Sequence, residues 1–484
     1  MTITNAISSA LTGLAARGRE AGVVSSNISN ATTEGYARRV ADVSSGPYGT
    51  VRVEGVRRME DTRLSADLRG AEAARAGADV ASDALRRVER AFGSPDEPGS
   101  LTAKLARVEA ALTDAASDPG SEARLRAVST ALVEFTDGVQ AASDAIRDAR
   151  SAAEADIEKD VSGLQQGLSR VAQLNVQIAK AKALGRDVTA LEDERRAEID
   201  TLAQSVPVKA YERKDGMVSL VAKGGVQLVE GTSVAEIGFE AASFVTADMT
   251  VEDMTLANGA LSRVTVRGEA TDPEAPGGRL SGGTLGARME LRDETLVTLQ
   301  TRLDAFAEEV ATNLQSVTLD TSLAGPPAEP GLLTDAGARV GAPAAGLAGR
   351  LEVNAKALTQ LASLRDGLGS TAVARPVGDS SLLRGLADAL STPTTEPPGF
   401  TPGQRNASEL LAAVTSGLAS ARLSSEAEGA SLAATAEVLR QEERAGGVDT
   451  DVELQKLMEI ERGYAASAKV LSAVDDMLAR ILEI

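Results

Sequence analysis

The sequence predicts a mainly α fold with a β-rich insert, built as a nested multidomain rod. Terminal helices pair as an α-helical coiled coil, long helices form a shaft, and a small β domain sits at the tip. Three observations predict it. Both ends of the chain carry apolar stripes at helical spacing. Helical patterning dominates to about residue 205 and resumes at 284. Between these stretches, at 206–283, the period changes from near four to two.

The N-terminal stripe runs Ile3, Ile7, Leu11, Leu14, Ala21, Val24 and Ile28, giving a helix over 3–30. Residues 36–56 alternate enough for short extended strands. A second helix spans 60–92 and stops at Gly93-Ser94-Pro95. A third covers 100–116, ended by Asp118-Pro119-Gly120. The Ala-rich, charged stretch 121–184 makes one or two long helices closed by Gly185, and 188–204 makes another.

From Val206-Pro207 onward a hairpin is expected, Val206–Glu212 against Met217–Ala222, turning at Lys214-Asp215-Gly216-Met217. Lys223-Gly224-Gly225 leads into Val226–Glu230, and Val/Ile/Thr/Phe alternation continues through 234–267. The Pro- and Gly-bearing segment 272–283 is the exit linker. Helix resumes over 284–316, and 320–348 is irregular. Leu351–Val353 is a candidate strand and 380–390 a helix. A Pro-rich loop at 392–402 precedes a long helix over 404–444. After the break at Ala445-Gly446-Gly447-Val448, Asp449 or Thr450 can cap the last helix. Its stripe is Leu454, Leu457, Ile460, Tyr464, Ala468, Leu471, Val474, Leu478 and Ile481. The expected domains are therefore 1–35 with 449–484 (a terminal coiled coil, disordered in the free monomer), 36–205 with 284–448, and the insert 206–283.

Composition narrows the function. A chain of 484 residues is expected to form about two to four domains. Aromatics are 2% and Trp is absent, so the cores are built from Ala, Leu and Val, which suits packed helices better than aromatic-lined pockets. The net charge of −20 and the lack of a dense basic tract argue against nucleic acid and against anionic membranes. No 18-residue apolar run offers a membrane span. With neither Cys nor His, disulfides, thiolate chemistry and the commonest general base and metal ligand are all missing. No cleaved leader is evident, so if the protein leaves the cytoplasm, a route without one is expected.

No catalytic, cofactor or metal constellation emerges, and an enzyme is not expected. Gly277-Gly278-Arg279-Leu280-Ser281-Gly282-Gly283 precedes a helix as a phosphate cradle would, but it lacks the following Lys and reads as hinge plus cap. Glu192-Asp193-Glu194 could collect a hard cation, yet adjacent helical carboxylates diverge, which favours a salt-bridged face. The segment from Ser25 to Arg38 ends a helix. Asn27 and Asn30 can bond the last carbonyls or turn left-handed, Gly35 permits a turn, and Tyr36 can pack beneath it.

That segment, through Ser26-Asn27-Ile28-Ser29-Asn30 and Thr33-Glu34-Gly35-Tyr36, resembles the N-terminal motif of the bacterial flagellar rod, hook and hook-associated axial proteins, N-N-I-A-N-x-N-T-x-G-Y. Ser26 and Thr32 stand where the motif has Asn. The segment from Val452-Glu453-Leu454 to Tyr464–Leu471 resembles the same group's C-terminal motif.

Within the group, the interior is similar to the hook-associated protein 1 family. Leu174-Asn175-Val176-Gln177-Ile178 and Leu191–Arg195 are similar to its L-N-x-x-I and L-x-D-x-R-D, with Arg196 in place of the final Asp. Val206-Pro207-Val208, Asp215-Gly216, Gly224–Gly231, Gly282–Gly286 with Leu291-Arg292-Asp293, Val353-Asn354 and Gly378-Asp379 follow that family in order.

The resemblance implies a structural, secreted protein of the flagellar hook–filament junction, exported by the type III apparatus and required for filament assembly. It implies a ring of identical subunits, hook protein below, hook-associated protein 3 above, and an export chaperone on the C-terminal face before secretion. It also implies assembly roles for Asn27, Ile28, Asn30, Gly35 and Tyr36, and for Leu454, Leu457, Ile460, Tyr464, Leu471, Val474, Leu478 and Ile481. The alternatives are a sister axial protein, hook or distal rod, and a surface adhesin carried by the insert.

Overall fold

The computed structural model describes residues 3–33, 36–251, 261–270, 280–325, 327–341, 344–395, 397 and 399–482. The chain is mostly helical, with small antiparallel sheets. It divides into two compact units. One comprises 1–75, 162–236 and 430–484; the other comprises 76–161 and 237–429.

In the first unit, helix α1 (Ile3–Ser29) leads into the antiparallel hairpin β1 (Arg38–Ser45) and β2 (Val51–Met59). Helix α2 begins at Thr62 and continues to Phe92. After α3 (Leu101–Ser117), the stretch read as one or two helices is the single helix α4 (Glu122–Ala183). It stops where Gly185 turns left-handed at φ 66°. Gly185 and Arg186 donate back to the carbonyls of Lys182 and Ala181, which satisfies the exposed helix end.

Helix α5 (Thr189–Ser205) folds back on α4. A methyl group on Gly167 would lie 2.4 Å from a Leu202 methyl, so any larger residue here requires the Leu202 side chain to move. A four-stranded sheet follows in the order β3 (Val208–Glu212), β4 (Val218–Ala222), β5 (Gln227–Glu230), β6 (Ser233–Val234). Its first turn places Gly216 at φ 84° while Asp215 accepts from the Met217 amide.

The second unit holds the largest core. Aliphatic side chains of α2, α3 and α4 meet those of α7 (Leu296–Leu314), α10 (Ser381–Ser391) and the start of α11 (Ala407–Ala445). Phe135 and Phe306 meet edge-on at its centre, ring centres 6.2 Å apart. The helix expected over 284–316 is instead α6 (Gly283–Glu290), a π-helical turn at Leu291–Thr295, and then α7. The alternating stretch 234–267 forms only two-residue strands among its described residues, β7 (Ile237–Gly238) and β8 (Thr265–Val266), with β9 (Glu269–Ala270) added. Val245, Met249 and Leu261 gather in a small cluster of their own. The stretch read as irregular contains β10 (Leu333–Asp335), paired with β11 (Leu351–Val353). Two short helices follow, α8 (Ala355–Thr359) and α9 (Ser363–Asp366).

Helix α11 starts at a reciprocal cap. The Glu409 amide donates to Asn406 Oδ1 at 2.8 Å, and the Asn406 amide to Glu409 at 2.9 Å. Ion pairs between α2 and α11 repeat at near-constant register: Glu72–Arg440, Arg86–Glu426 and Glu89–Arg422. The last helix, α12 (Thr450–Leu482), is capped by Asp449, which accepts from the amides of Asp451 and Val452.

Candidate assembly site at the paired termini

Helices α1 and α12 pack against each other, antiparallel. Three contacts fix the alignment: Asn27 meets Glu453, Gly463 lies against Arg17, and Gly13 faces Ser467. In each pair the two residue numbers add to 480, so the register is constant across more than three turns.

Asn27 is 0% exposed and makes every hydrogen bond its amide can make. Its Nδ2 donates to the Arg39 carbonyl at 2.8 Å and to Glu453 Oε2 at 2.9 Å. Its Oδ1 accepts from the Arg39 amide at 2.9 Å and from the Tyr36 hydroxyl at 3.0 Å. Since Tyr36 gives its proton to Asn27, Ser26 Oγ, 3.3 Å away, is the donor in their contact. Asn30 caps the helix end by donating to the Ser26 carbonyl at 2.9 Å. Asn27 thus does a different job from Asn30: it joins α1 to β1 and α12. The Arg39 guanidinium covers the Tyr36 ring at 4.9 Å.

Glu453 is 1% exposed on its side chain. Besides Asn27 it accepts from Arg38 Nε at 2.8 Å, and Lys456 lies 3.5 Å away. Burial alone pushes its carboxyl up. The bonds from Asn27 and Arg38 and the charges of Lys456 and Arg38 outweigh that, and hold it below the ordinary value of 4.5.

The hairpin is fastened to α5 as well. Asp193 pairs with Arg39 of β1 and with Arg58 of β2. Arg196 reaches Glu60, Asp200 and Glu443. Of the carboxylates of 192–194 read as a possible cation site, Asp193 is engaged as described and Glu194 pairs with Arg170.

The interior motifs resolve into clips of the same kind. Asn175, 0% exposed, donates to the carbonyls of Val218 and Gly231 and accepts from the Val218 amide and Arg195. Arg195 also donates to the Gly216 carbonyl, so α4 and α5 both hold the turns of the sheet. In the second unit, Arg292 on the π turn pairs with Glu154 and Asp293, under the ring of Phe239. Arg150 donates to three backbone carbonyls, of Arg292, Thr246 and Met249. Burial and the nearby Arg292 charge push its guanidinium down to about 10 against the pull of Asp293 and Glu154. The glycine cradle is a close contact. Gly282 and Gly283 take φ of 90° and 66°, and a methyl on Gly77 would lie 2.8 Å from the Gly283 carbonyl oxygen. Gly277, Gly278 and Arg279 lie outside the described residues.

Of the predicted C-terminal face, Ile460 and Val474 are buried, and Leu457, Leu471 and Leu478 are half-buried. Leu454 and Tyr464 are 47% and 46% exposed and stand on the outer side with Val452, Met458, Val470 and Met477. On α1, Ile28 is half-buried and Leu11 exposed. Gly35 and the side chain of Ile481 lie outside the described residues. The spacing argument missed Glu453, Arg38 and Arg39. The adjacent pair Arg38-Arg39 behind a buried Asn was the available signal, together with a lone carboxylate on the inner side of the last stripe.

The chain shares sequence with known proteins in the same places. The flagellar hook-associated protein FlgK helical domain matches residues 85–323. The flagellar basal body rod FlgEFG protein C-terminal domain matches 445–484. Flagellar hook-associated protein 1 of Salmonella typhimurium is 24% identical over 321 residues, 63% of this chain and 56% of the relative. That of Salmonella typhi matches equally. The chain thus spans little more than half the length of these relatives. Among solved structures, the flagellar hook junction protein FlgK from Burkholderia pseudomallei is similar at 20% identity and a TM-score of 0.45, covering 56% of this chain and 46% of that one. Across residues 85–323 the chain is similar to the flagellar hook-associated protein FlgK family, and at 445–484 to the C-terminal domain of the flagellar rod proteins.

Proposed function

We propose that this chain is a non-enzymatic structural subunit of the bacterial flagellum, an adaptor at the hook–filament junction on which filament assembly depends. The observation that carries the reading is the joining of the two ends, of which the C-terminal one matches the flagellar rod C-terminal domain. The N-terminal motif residue Asn27 and the C-terminal Glu453 are one buried contact, so the ends form a single structural element. In this reading α1 and α12 are a coiled coil at the base of a nested rod. Residues 1–35 with 449–484 form the assembly domain, 36–205 with 284–448 the helical shaft, and 206–283 the tip.

The outer residues Leu454, Met458, Tyr464, Val470 and Met477 supply the apolar surface that neighbouring subunits cover in a ring. The same surface suits an export chaperone that shields it beforehand. Hook protein and hook-associated protein 3 are the proposed neighbours, and the location is outside the cell after export without a cleaved leader.

Deleting the gene tests this. Cells are expected to build hooks without filaments and to release filament protein into the medium. Normal filaments on the deletion strain would refute the adaptor role.

A further inference from the structure

Antiparallel helices whose contact residues are small have little to stop them sliding by a turn. The α1–α12 contact has this weakness. Gly13 faces Ser467 and Gly463 faces Arg17, while Ala10 and Ala16 are buried on α1. None of these residues fills a pocket that only one alignment supplies. A shift by one helical turn would set Gly13 against Gly463 in one direction, small against small, and against the flexible Leu471 in the other.

One contact does distinguish the alignments. Asn27 has four hydrogen-bonding positions, three of them taken by the Arg39 backbone and Tyr36. The fourth points at Glu453. Glu453 in turn takes Arg38, which sits next to Arg39 on the same strand. The carboxylate therefore fits between two groups that the hairpin and α1 hold in place. Sliding α12 by a turn in one direction would bring Asp449 or Thr450 to Asn27, and in the other Leu457. Leu457 would leave one Asn27 Nδ2 hydrogen unpaired and take the carboxylate from the half-buried Arg38, while Asp449 is already engaged by the amides of Asp451 and Val452 at the start of α12. A buried polar contact of this kind fixes register in paired helices at little net gain in stability.

We propose that Asn27, Arg38 and Glu453 form a register lock, which sets the alignment of α12 on α1 and thereby the height at which the outward apolar residues of α12 stand. The lock fixes where along α1 the exposed Leu454, Tyr464 and Met477 and the covered Ile460 and Val474 stand. It rests on the proposed coiled coil of the termini and adds what selects its register.

The absence of native cysteine allows a direct test in the full-length chain. A Cβ placed on Gly13 lies 3.7 Å from Ser467 Oγ, close enough for a disulfide after Gly13→Cys with Ser467→Cys. Gly13→Cys with Gly463→Cys, or with Leu471→Cys, reports a shift of one turn either way. In the parent background the 13–467 product is expected to dominate either shifted product by about tenfold or more, and Glu453→Leu or Asn27→Leu to reduce this to about twofold or less. Unchanged preference for 13–467 in both variants would overturn the lock. If Glu453→Leu gives none of the three products, the isosteric Glu453→Gln decides: a recovered 13–467 product supports the lock, and no recovery overturns it. Failure of the 13–467 disulfide in the parent would instead overturn the helix pairing itself, a distinguishable result.

Discussion

Asn175 and Asn27 show how much a single amide can organise when it is fully buried and fully bonded. Removing Asn175 takes their partner from the Val218 amide and from the Val218 and Gly231 carbonyls, and one of its acceptors from Arg195, inside the sheet–helix contact. Asn175→Ala is expected to cost about 3–5 kcal/mol, seen as a lower urea midpoint. An unchanged midpoint would contradict the bonding described. Glu453 gives a pH signature. Its carboxyl titrates below the ordinary 4.5 in the folded chain, so its contribution is fully present above that value and is lost as pH falls through the lowered one. Hydrogen exchange in α12, extrapolated for intrinsic rate, is expected to rise below about pH 4.5 in the parent and to be flat with pH in Glu453→Gln. Equal pH dependence in both would show that Glu453 is not the group responsible. These residues could be read from the sequence as motif letters, but not as bonds. The pattern marks Asn27 as special, and nothing local says that its partner lies 426 positions away.

At the level of elements, the long helices were legible because the stripes, the Gly185 stop and the Asp449 cap act within a few residues, whereas the short α8 and α9 carry too little periodicity to show. The π turn at 291–295 was not, because it arises where Arg292 must reach Glu154 and Asp293 inside the second unit. The strands expected across 234–267 are shorter than their alternation suggests, because Val245 and Met249 are spent on a separate cluster. The contact of α2 with the start of α6 depends on Gly77. Gly77→Val places carbon against the Gly283 carbonyl oxygen, and a loss of about 2–4 kcal/mol is expected, read by the thermal midpoint of residues 76–161 and 237–429. A neutral result would mean that α2 shifts freely there.

At the level of the whole molecule, the two units have separate cores, and no residue of α12 belongs to the large one. A chain ending at residue 448 is therefore expected to keep the main cooperative melting transition. It should lose amide protection across 3–29, because Asn27, Arg38 and the inner face of α1 no longer have their partner. Unaltered protection of α1 would show that α12 contributes nothing to its order.

By itself the sequence determined the mainly helical class, the order of the elements and the family resemblance. It also determined the exclusion of thiol and imidazole chemistry, since these follow from periodicity, local caps and composition. Only the tertiary structure decided which side of α12 faces inward. Period alone placed Leu454 and Tyr464 with Ile460, yet the buried side passes through Glu453 instead. An apolar stripe states that a helix wants a partner without stating the angle at which it meets one. That angle is set by the few polar groups that must be satisfied when the two helices close, and those groups come from opposite ends of the chain.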